Sequence, residues 1–523
     1  MEQRTHEKIA AHLCGTPLAI SEGGARVALE VSAEMAADGR GLAHGGFTFG
    51  LADYAAMLAV NEPTVVLAGA TLKFLGPVVV GDRVEAEAVV DRQEGKKRWV
   101  KVTVRRAGQP VLEGELFAVV PDRHILDAKA KPVRLTTRGF VASFLATLMA
   151  ASPAIAQTVK IGFITTLSGP QGIIGEHMKN SVELALDHLG RKMGGLNVEV
   201  IYGDDQVNPE VGKRLAGEML KKDRVHFVSG VIWSNVLLAV APTVTQAGTF
   251  MIGTNAGPSE LAGKMCNELF FSTSWQNDQT PEAMGKYMYD RGITGVYAMA
   301  PDYSAGKDAV EGFKRYFKRK VVAEVYTKLG QQDYKAEISQ LRAAKPKAVF
   351  IFYPGNMGIQ FLRQYEEAGL RERIPVFSVY TVDEISLIDL KEAADGQWET
   401  RNWSPDLKNE ANQRYVADFR KKYDKAPVFY GAQSYDGIML IDSAVRAVNG
   451  DLSNKRGMIA AMRKADYRSV RGKYTYNVNH FPIQSFYLLK AVPGSSGAFE
   501  MQIQRTVFEN HKDSYYEECG MKW

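Results

Sequence analysis

A short apolar segment inside the chain constrains the fold more than any other feature. Residues 134–157 read RLTTRGFVASFLATLMAASPAIAQ. The segment begins with Arg134 and Arg138, continues as an apolar run to Ala151, and is then broken by Pro153. Residues 154–156 (AIA) have the small-x-small form of a cleavage site, so the whole order is typical of a secretory signal peptide. The apolar run is shorter than the roughly 20 residues of a membrane-spanning helix. We therefore expect a separate protein on each side of this segment.

The segment begins after more than 130 residues, whereas a signal peptide belongs at an N-terminus. Two explanations fit this position. In one, the chain is a real fusion that keeps the segment as a linker or membrane anchor. In the other, two adjacent reading frames were joined when the gene was assigned. A plainer alternative is a buried core helix or an apolar linker. In every case we predict three regions, residues 1–126, 127–157 and 158–523.

Composition excludes some functions. Hydrophobic residues make up 46% and charged residues 24% of the 523 residues, which is ordinary for a soluble protein with several domains. A net charge of +5 gives no reason to expect nucleic acid as a partner. The three cysteines, Cys14, Cys266 and Cys519, and the scattered histidines form no zinc pattern. We therefore expect neither a metal site nor a bound cofactor.

The first region combines one buried helix with several strands. Residues 41–61 contain apolar side chains at helical spacing on nearly every face, as in a buried helix. Alternating patterns follow at 65–74, 83–93, 99–106 and 111–120, separated by glycine-containing turns. One buried helix wrapped by consecutive antiparallel strands is the α+β hotdog fold.

Three motifs carry a family resemblance in this region. His44-Gly45-Gly46, Leu51-Ala52-Asp53 and the stretch 71–77 (TLKFLGP) resemble hotdog acyl-CoA thioesterases of the phenylacetate-pathway type. The resemblance implies a coenzyme A thioester as substrate and a homodimer or tetramer. Family members often carry an asparagine in the first helix, which the matching stretch 11–14 (AHLC) lacks. His12 either replaces it as a polar contact or is a surface residue.

The residue types in these motifs suit thioester hydrolysis. Backbone N–H groups at a helix start stabilise an oxyanion, and Gly45 and Gly46 allow close approach of the substrate. Asp53 is the only acid of the apolar helix, which favours a role as base or nucleophile over a structural role. Gly46 and Asp53 lie about 10 Å apart along the helix axis at 1.5 Å per residue. One carbonyl cannot reach both, so we expect the site to combine two protomers.

The second region alternates strands with helices from residue 158 onward, and the alternation restarts near residue 280. This pattern indicates two doubly wound α/β lobes. We predict lobe 1 at about 158–277 plus 405–485, and lobe 2 at about 278–404 plus 486–523. The motifs 167–170 (LSGP), 202–205 (YGDD), 254–258 (TNAGP), 275–279 (WQNDQ) and 302–306 (DYSAG) resemble leucine/isoleucine/valine-type (type I) periplasmic substrate-binding proteins of ABC transporters. That resemblance implies a small-molecule ligand, an ABC permease as partner and no enzymatic activity in this region.

Ligands of doubly wound sheets bind beyond the carboxyl ends of strands. On that rule and by the resemblance, the predicted ligand-binding residues are Ser168, Trp233, Ser234, Asn255, Ala256, Gly257, Tyr303 and Thr381. The acids after Val379 lie later than amino-acid-binding members would place them, while several aromatic rings lie near the predicted cleft. We expect either an aromatic or hydrophobic carboxylate or a branched-chain amino acid as ligand.

Cysteine positions agree with two compartments. An oxidising periplasm would allow Cys266 and Cys519 to form a disulfide, whereas Cys14 lies in the region expected to stay reduced. We thus expect periplasmic location for 158–523 if the chain is processed, and cytoplasmic location for 1–126. In the rival interpretation the second region is a cytoplasmic ligand sensor that regulates the thioesterase.

Overall fold

The computed structural model describes residues 1–123, 158–494 and 497–523. These residues form two compact units, and the division between the units falls within 124–157. The signal-peptide-like segment, residues 134–157, therefore lies outside the described residues. Within the described ranges, no helix has the length and apolar character needed to cross a membrane.

The first unit is an antiparallel sheet packed around one long helix. Its strand order is β1-β2-β4-β5-β6-β3. The strands are β1 (Thr16–Ser21), β2 (Gly24–Glu30), β3 (Val66–Phe74), β4 (Arg83–Glu94), β5 (Lys97–Arg106) and β6 (Gln109–Val119). The helices are α1 (Ala11–Cys14) and α2 (Gly45–Val60). This arrangement confirms the predicted hotdog class.

Helix α2 forms the centre of this unit because small and apolar side chains occupy nearly all of its faces. Leu51, Ala55 and Leu58 are fully buried against the inward-facing side chains of the sheet. Asn61 ends the helix in the left-handed conformation, with φ of 47°. The Asn61 side chain also accepts from Arg4 N and donates to the backbone of the N-terminal segment.

The four strands predicted for this unit are present within two residues of their expected bounds. Strands β1 and β2 were not predicted. In β1 the burial does not alternate, because it is an edge strand with most side chains at least partly exposed. The sequence of β1 therefore lacks the period-two signal that marks a half-buried strand.

The second unit opens with a doubly wound sheet in the order β12-β11-β10-β7-β9-β8, in which only β8 and β9 pair antiparallel. The strands are β7 (Thr158–Thr165), β8 (Lys192–Met193), β9 (Leu196–Asp204), β10 (Phe227–Gly230), β11 (Phe250–Gly253) and β12 (Phe270–Ser272). The helices between them are α3 (Gly172–His188), α4 (Pro209–Glu218), α5 (Ser234–Gln246) and α6 (Ser259–Ala262). Strands β10 and β11 are buried at every position, which explains their apolar sequences.

A second sheet forms the other lobe, in the order β14-β13-β15-β16-β17-β19-β18, with β20 beside β19. The strands are β13 (Val296–Pro301), β14 (Ala323–Thr327), β15 (Ala348–Phe352), β16 (Val376–Val379), β17 (Trp398–Arg401), β18 (Thr475–Tyr476), β19 (Pro482–Pro493) and β20 (Phe499–His511). Its helices are α7 (Gln279–Asp290), α8 (Ser304–Phe317), α9 (Lys335–Ala344), α10 (Asn356–Glu367) and α11 (Ser386–Leu390).

Between β17 and β19 the chain returns to the first lobe. The returning helices are α12 (Glu410–Tyr423), α13 (Phe429–Ala447) and α14 (Lys455–Lys464). Helices α12 and α13 pack on α3, where the Tyr415 and Ser181 hydroxyls lie 2.8 Å apart. The two sheets therefore belong to lobes that share several chain crossings, and the predicted α/β two-lobed class is confirmed.

Cys266 and Cys519 form a disulfide with their Cα atoms 5.7 Å apart. The two residues are 253 positions apart, so the bond closes a loop that contains most of the second unit. Cys14, in the first unit, is a free cysteine of intermediate burial.

Candidate functional site

A cleft between the two lobes is walled by aromatic side chains. Its empty volume is about 400 Å³, a figure that includes open solvent. The walls come from loops after parallel strands and from helix starts, where doubly wound sheets bind ligands. The lining residues are Ile232, Trp233, Ser234, Asn255, Ala256, Trp275, Asn277, Tyr303, Ala305, Ala309, Phe352, Pro354, Tyr380 and Tyr430.

The rings form two groups that meet in the cleft. Trp275 stacks on Tyr380 with centroids 4.2 Å apart, and Tyr380 meets the Phe352 ring edge-on at 5.9 Å. Tyr303 of the second lobe lies 6.3 Å from both Trp233 and Phe352. Flat, largely dehydrated ring surfaces of this kind favour a flat apolar ligand body.

Two helix starts from opposite lobes reach the same cleft. Helix α5 begins at Ser234 directly after Trp233, and α8 begins at Ser304 directly after Tyr303. Neither first turn is capped by a side chain, so its N–H groups are open to a ligand. The positive end of each helix dipole favours an anionic group there. Trp233 is held in place because its Nε1 donates to Thr166 Oγ1 at 2.9 Å.

The predicted loop 255–257 lies at the cleft, but two of its N–H groups pair with acceptors within the protein. Ala256 N–H donates to the Val231 carbonyl at 3.3 Å, and Gly257 N–H donates to Asn277 Oδ1 at 3.0 Å. Gly257 does not line the cleft. The first turns of α5 and α8 also leave N–H groups without a side-chain cap. The sequence does not reveal the pairing of Gly257 N–H because its acceptor, Asn277, lies 20 residues away along the chain.

Two other predicted ligand residues lie elsewhere. Ser168 is exposed beside Asp204 and does not line the cleft. Thr381 is fully buried, and its hydroxyl donates to Val379 O and accepts from Tyr353 N at 3.0 Å each. That pairing gives Thr381 a role in holding the β15 and β16 loops together. Trp233, Ser234, Asn255, Ala256 and Tyr303 are the predicted residues that the structure brings together.

Two lining side chains hold buried polar atoms without a hydrogen-bond partner among the described residues. These atoms are Tyr430 Oη and Asn255 Oδ1. Tyr430 is only 2% exposed, and Asn255 keeps its amide in place by donating to Ile232 O at 2.8 Å. Buried polar groups left unpaired are costly, so a ligand that pairs with them gains affinity.

Acidic side chains near the cleft form bonds within the protein, although Asp383 Oδ2 has no partner among the described residues. None of the described residues that line it is Asp or Glu. Asp383 Oδ1 accepts from the backbone of Ile385 and Ser386, and Glu384 forms an ion pair with the buried Arg401 at 3.2 Å. Burial raises the pKa of Glu399 to about 7, although Arg401 opposes the shift. The lining therefore offers no carboxylate to an ammonium group.

In the first unit, the predicted glycines begin α2. His44 precedes the helix and its Nδ1 accepts from Gly46 N at 3.0 Å. Gly45 N–H has no hydrogen-bond partner among the described residues. A Cβ at Gly45 would lie 3.1 Å from the Phe74 ring, and one at Gly46 would lie 2.8 Å from the His44 ring. A larger residue at either position would therefore require the neighbouring ring to shift.

Asp53 lies within α2 and is half-buried. Its Oδ1 is buried without a partner among the described residues. Burial raises the pKa of Asp53 to about 6. Burial, and then the nearby Asp53, also raise the pKa of the Cys14 thiol. A carboxyl that changes charge close to neutral pH suits general base chemistry.

Across residues 1–123, 158–494 and 497–523, no group of three or more His, Cys, Asp or Glu side chains is placed to hold an ion.

Comparison with known proteins agrees with the two-unit division. The periplasmic binding protein family model matches residues 158–498, and the thioesterase superfamily model matches residues 40–113. The Leu/Ile/Val-binding protein homolog 6 of Brucella melitensis is 27% identical over 361 residues, which is 67% of this chain and 92% of that protein.

Two solved structures are similar to the second unit. One is an ABC transporter solute-binding protein from R. palustris in complex with benzoate, with 26% identity and a TM-score of 0.66 over 70% of this chain and all of that one. The other, from Rhodopseudomonas palustris BisB5 with 3,4-dihydroxybenzoic acid, has 29% identity and a TM-score of 0.65 over 68% of this chain and 99% of that one. The chain thus belongs to the periplasmic binding protein family through its second unit, and its first unit is a thioesterase-superfamily domain.

Proposed function

We propose that the second unit is the substrate-binding component of an ABC transporter for a small aromatic carboxylate. The observation that carries this proposal is the lining of the cleft, which combines aromatic walls and two uncapped helix starts without an acidic side chain. The carboxylate would bind at the α5 start, where Ser234 lies, and the ring would lie between Trp275, Tyr303 and Phe352. The benzoate and dihydroxybenzoate ligands of the two similar structures support the same class.

Branched-chain amino acids are the second candidate ligand. Asp383 Oδ2 is buried without a partner among the described residues, and the similar Brucella protein is named as a Leu/Ile/Val-binding homolog. An ammonium group would need Asp383 to turn toward the cleft and give up its bonds to Ile385 N and Ser386 N.

A thermal-shift panel on the full chain separates the two candidates. A ligand that binds only the folded state raises the melting temperature of the unit that binds it. We expect benzoate and hydroxybenzoates to raise the melting temperature of the second unit, and leucine, isoleucine and valine to leave it unchanged. A shift with the amino acids alone would replace the first candidate with the second.

For the first unit we propose acyl-CoA thioester hydrolysis. The oxyanion would bind at the α2 start, where Gly45 N–H is open and Gly46 N–H becomes available if His44 turns away. Asp53 would act as general base or nucleophile. Hydrolysis of a panel of acyl-CoA esters by the full chain, followed as thiol release, tests this activity.

The thioesterase site would be shared between two chains. The about 10 Å between Gly46 and Asp53 along α2 prevents one carbonyl from meeting both. Strand β3 lies at a sheet edge, and the neighbouring Phe74 and Leu75 are 58% and 46% exposed. An apolar edge of this kind supports pairing with a second copy into a dimer or tetramer.

Export of the second unit is the last part of the proposal. Its disulfide suits an oxidising compartment, while the free Cys14 of the first unit suits a reducing one. N-terminal sequencing of the protein from its native host tests this directly. A mature chain that begins just after Ala156 supports export, and one intact cytoplasmic chain favours the ligand-sensor interpretation.

A further inference from the structure

We infer that Asn277 and Asp308 are positioning residues that force the Ser234 hydroxyl to donate toward the ligand, so that the cleft selects a carboxylate over the matching carboxamide. This inference rests on the proposed function of the cleft, since it concerns the group that Ser234 would bind.

Asn277 is the centre of the arrangement. Its Nδ2 lies 3.0 Å from Ser234 Oγ and 2.9 Å from Asp308 Oδ2. Its Oδ1 accepts from Gly257 N at 3.0 Å. All three side chains are buried, with Ser234 1%, Asn277 5% and Asp308 8% exposed.

These partners determine which way the Asn277 amide points. If the amide were turned over, its NH₂ would face the Gly257 N–H and its oxygen would face the Asp308 carboxylate. The first contact would then pair two donors, and the second would pair two acceptors. The NH₂ group of Asn277 must therefore face Ser234 and Asp308.

The orientation of Asn277 decides the role of Ser234. The Ser234 oxygen accepts from Asn277, and no acceptor for its hydrogen is found among the described residues. The hydroxyl therefore has its hydrogen available for the cleft. The first-turn N–H groups of α5 also point donors there. A carboxylate offers acceptors to all of these groups, whereas the NH₂ of a carboxamide would face at least one donor.

Asp308 links this arrangement to the contact between the two lobes. It belongs to α8 of the second lobe, yet it also accepts from Ser259 Oγ at 2.9 Å and Ser259 N at 3.2 Å in the first lobe. The donor role of Ser234 is thus set when Asp308 lies against the first lobe, as it does here.

An isosteric exchange of the two positioning residues tests the inference. The double variant Asn277→Asp/Asp308→Asn conserves size and net charge, but its new carboxylate accepts from Ser234 and turns the hydroxyl hydrogen away from the cleft. Binding of benzoate and benzamide to the full chain is measured by calorimetry at pH 8, where the carboxylates are ionised. We expect the wild type to prefer benzoate, and the double variant to lose roughly 10- to 100-fold of that preference.

Two further variants separate positioning from a merely structural role. Asp308→Asn alone leaves an amide oxygen that still accepts from Asn277, so we expect the preference for benzoate to change by less than about threefold. In a Ser234→Ala background, the double exchange should no longer alter the preference, because the hydroxyl through which it acts is gone.

The outcomes are distinct. Equal losses of benzoate and benzamide affinity in the double variant, or a change of preference that persists without the Ser234 hydroxyl, would overturn the inference while the proposed function stands. If the wild-type chain binds no aromatic carboxylate at all, the proposed function fails and this inference fails with it. Should the double variant not fold, Ser234→Ala alone still decides, since it must weaken benzoate more than benzamide.

Discussion

Helices α2 and α5 both begin at a candidate site, but their first turns are in different states. In α2, His44 Nδ1 already accepts from Gly46 N, and Asp53 lies further along the same helix without a partner for its Oδ1 among the described residues. In α5, no side chain caps the first turn, and Asn277 holds Ser234 with its hydrogen available. In α2 one first-turn N–H group is already hydrogen-bonded to a side chain, whereas no side chain caps the first-turn N–H groups of α5.

The contrast suggests how each unit works. The second unit has a cleft lined by residues from both of its lobes. The first unit separates its proposed oxyanion donors from its proposed base and exposes apolar residues beside an edge strand. A transport protein binds its ligand without changing it chemically. A site whose hydrogen-bond donors are already oriented loses less free energy on binding. An enzyme site that two chains complete forms only in the assembly.

The largest effect is expected in the first unit. Asp53→Asn keeps the side-chain shape but removes the base, so acyl-CoA hydrolysis should fall by about 10²- to 10⁴-fold. Asp91→Asn, at an exposed position of strand β4, is the matched control and should retain activity. Hydrolysis at the wild-type rate by the Asp53 variant would remove Asp53 from the mechanism and with it the need for a shared site.

Loss of the disulfide should affect only the second unit. The double variant Cys266→Ser/Cys519→Ser opens a loop whose ends lie 253 positions apart. We expect the free energy of unfolding of the second unit to drop by about 2–5 kcal/mol. Calorimetric unfolding of the full chain resolves this, with the transition of the first unit as an internal control. An unchanged second transition would mean that the bond does not stabilise the folded unit.

Ser234→Ala tests whether the α5 start is the ligand site. A hydrogen bond to a charged group contributes about 1.5–3 kcal/mol, so benzoate affinity should fall roughly 10- to 100-fold. Thr245→Ala, near the other end of α5, removes a hydroxyl that donates to Ala241 O and should leave the affinity unchanged. Equal affinities for the two variants would place the carboxylate elsewhere in the cleft.

The pH dependence of hydrolysis should follow Asp53. Because burial raises its pKa to about 6, the carboxylate form that acts as base is lost as the pH falls through that value. We expect kcat/KM to drop about tenfold per pH unit below pH 6 and to level off above it. The same shift means that the charged form is disfavoured by folding, so the first unit should lose stability as the pH rises from about 4 to about 6. A profile that is flat from pH 5 to 8 would contradict the role of Asp53.

The smallest effect concerns Tyr430. Because its hydroxyl has no partner among the described residues, Tyr430→Phe should leave the ligand-free stability unchanged or slightly higher. Tyr365→Phe is the contrast, since that hydroxyl donates to Ile374 O at 2.8 Å and its loss should cost about 1 kcal/mol. The affinity for 4-hydroxybenzoate should fall up to about tenfold in Tyr430→Phe, with little change for benzoate. A loss of stability in Tyr430→Phe would mean that the hydroxyl has a partner in the protein itself.

Periodic patterns along the chain predicted the architecture well. The buried helix α2 and the strand–helix alternation after residue 158 both follow from local apolar spacing, which short-range sequence carries. Trp233, Ser234 and Tyr303 were predicted because they directly follow strands or begin helices, and the structure lines the cleft with them.

Long-range partners account for what sequence reasoning missed. Ala256 and Gly257 were predicted as ligand-binding residues, but their N–H groups donate to Val231 O and Asn277 Oδ1. Thr381 looked like a loop residue facing a ligand, but the neighbouring strand loop gives it Tyr353 N as a partner. Tyr430 lies at the start of α13, far along the chain from the rest of the cleft, and no motif marks it. Side-chain partners of this kind depend on packing between elements, which periodicity does not report.

The most direct test of the account is a calorimetric titration of the full chain with benzoate and, separately, with leucine. We predict saturable binding of one benzoate per chain, competition by 4-hydroxybenzoate for the same site, and no heat of binding with leucine. Binding of leucine at one site per chain, with none for any aromatic carboxylate, would contradict the assignment of the cleft.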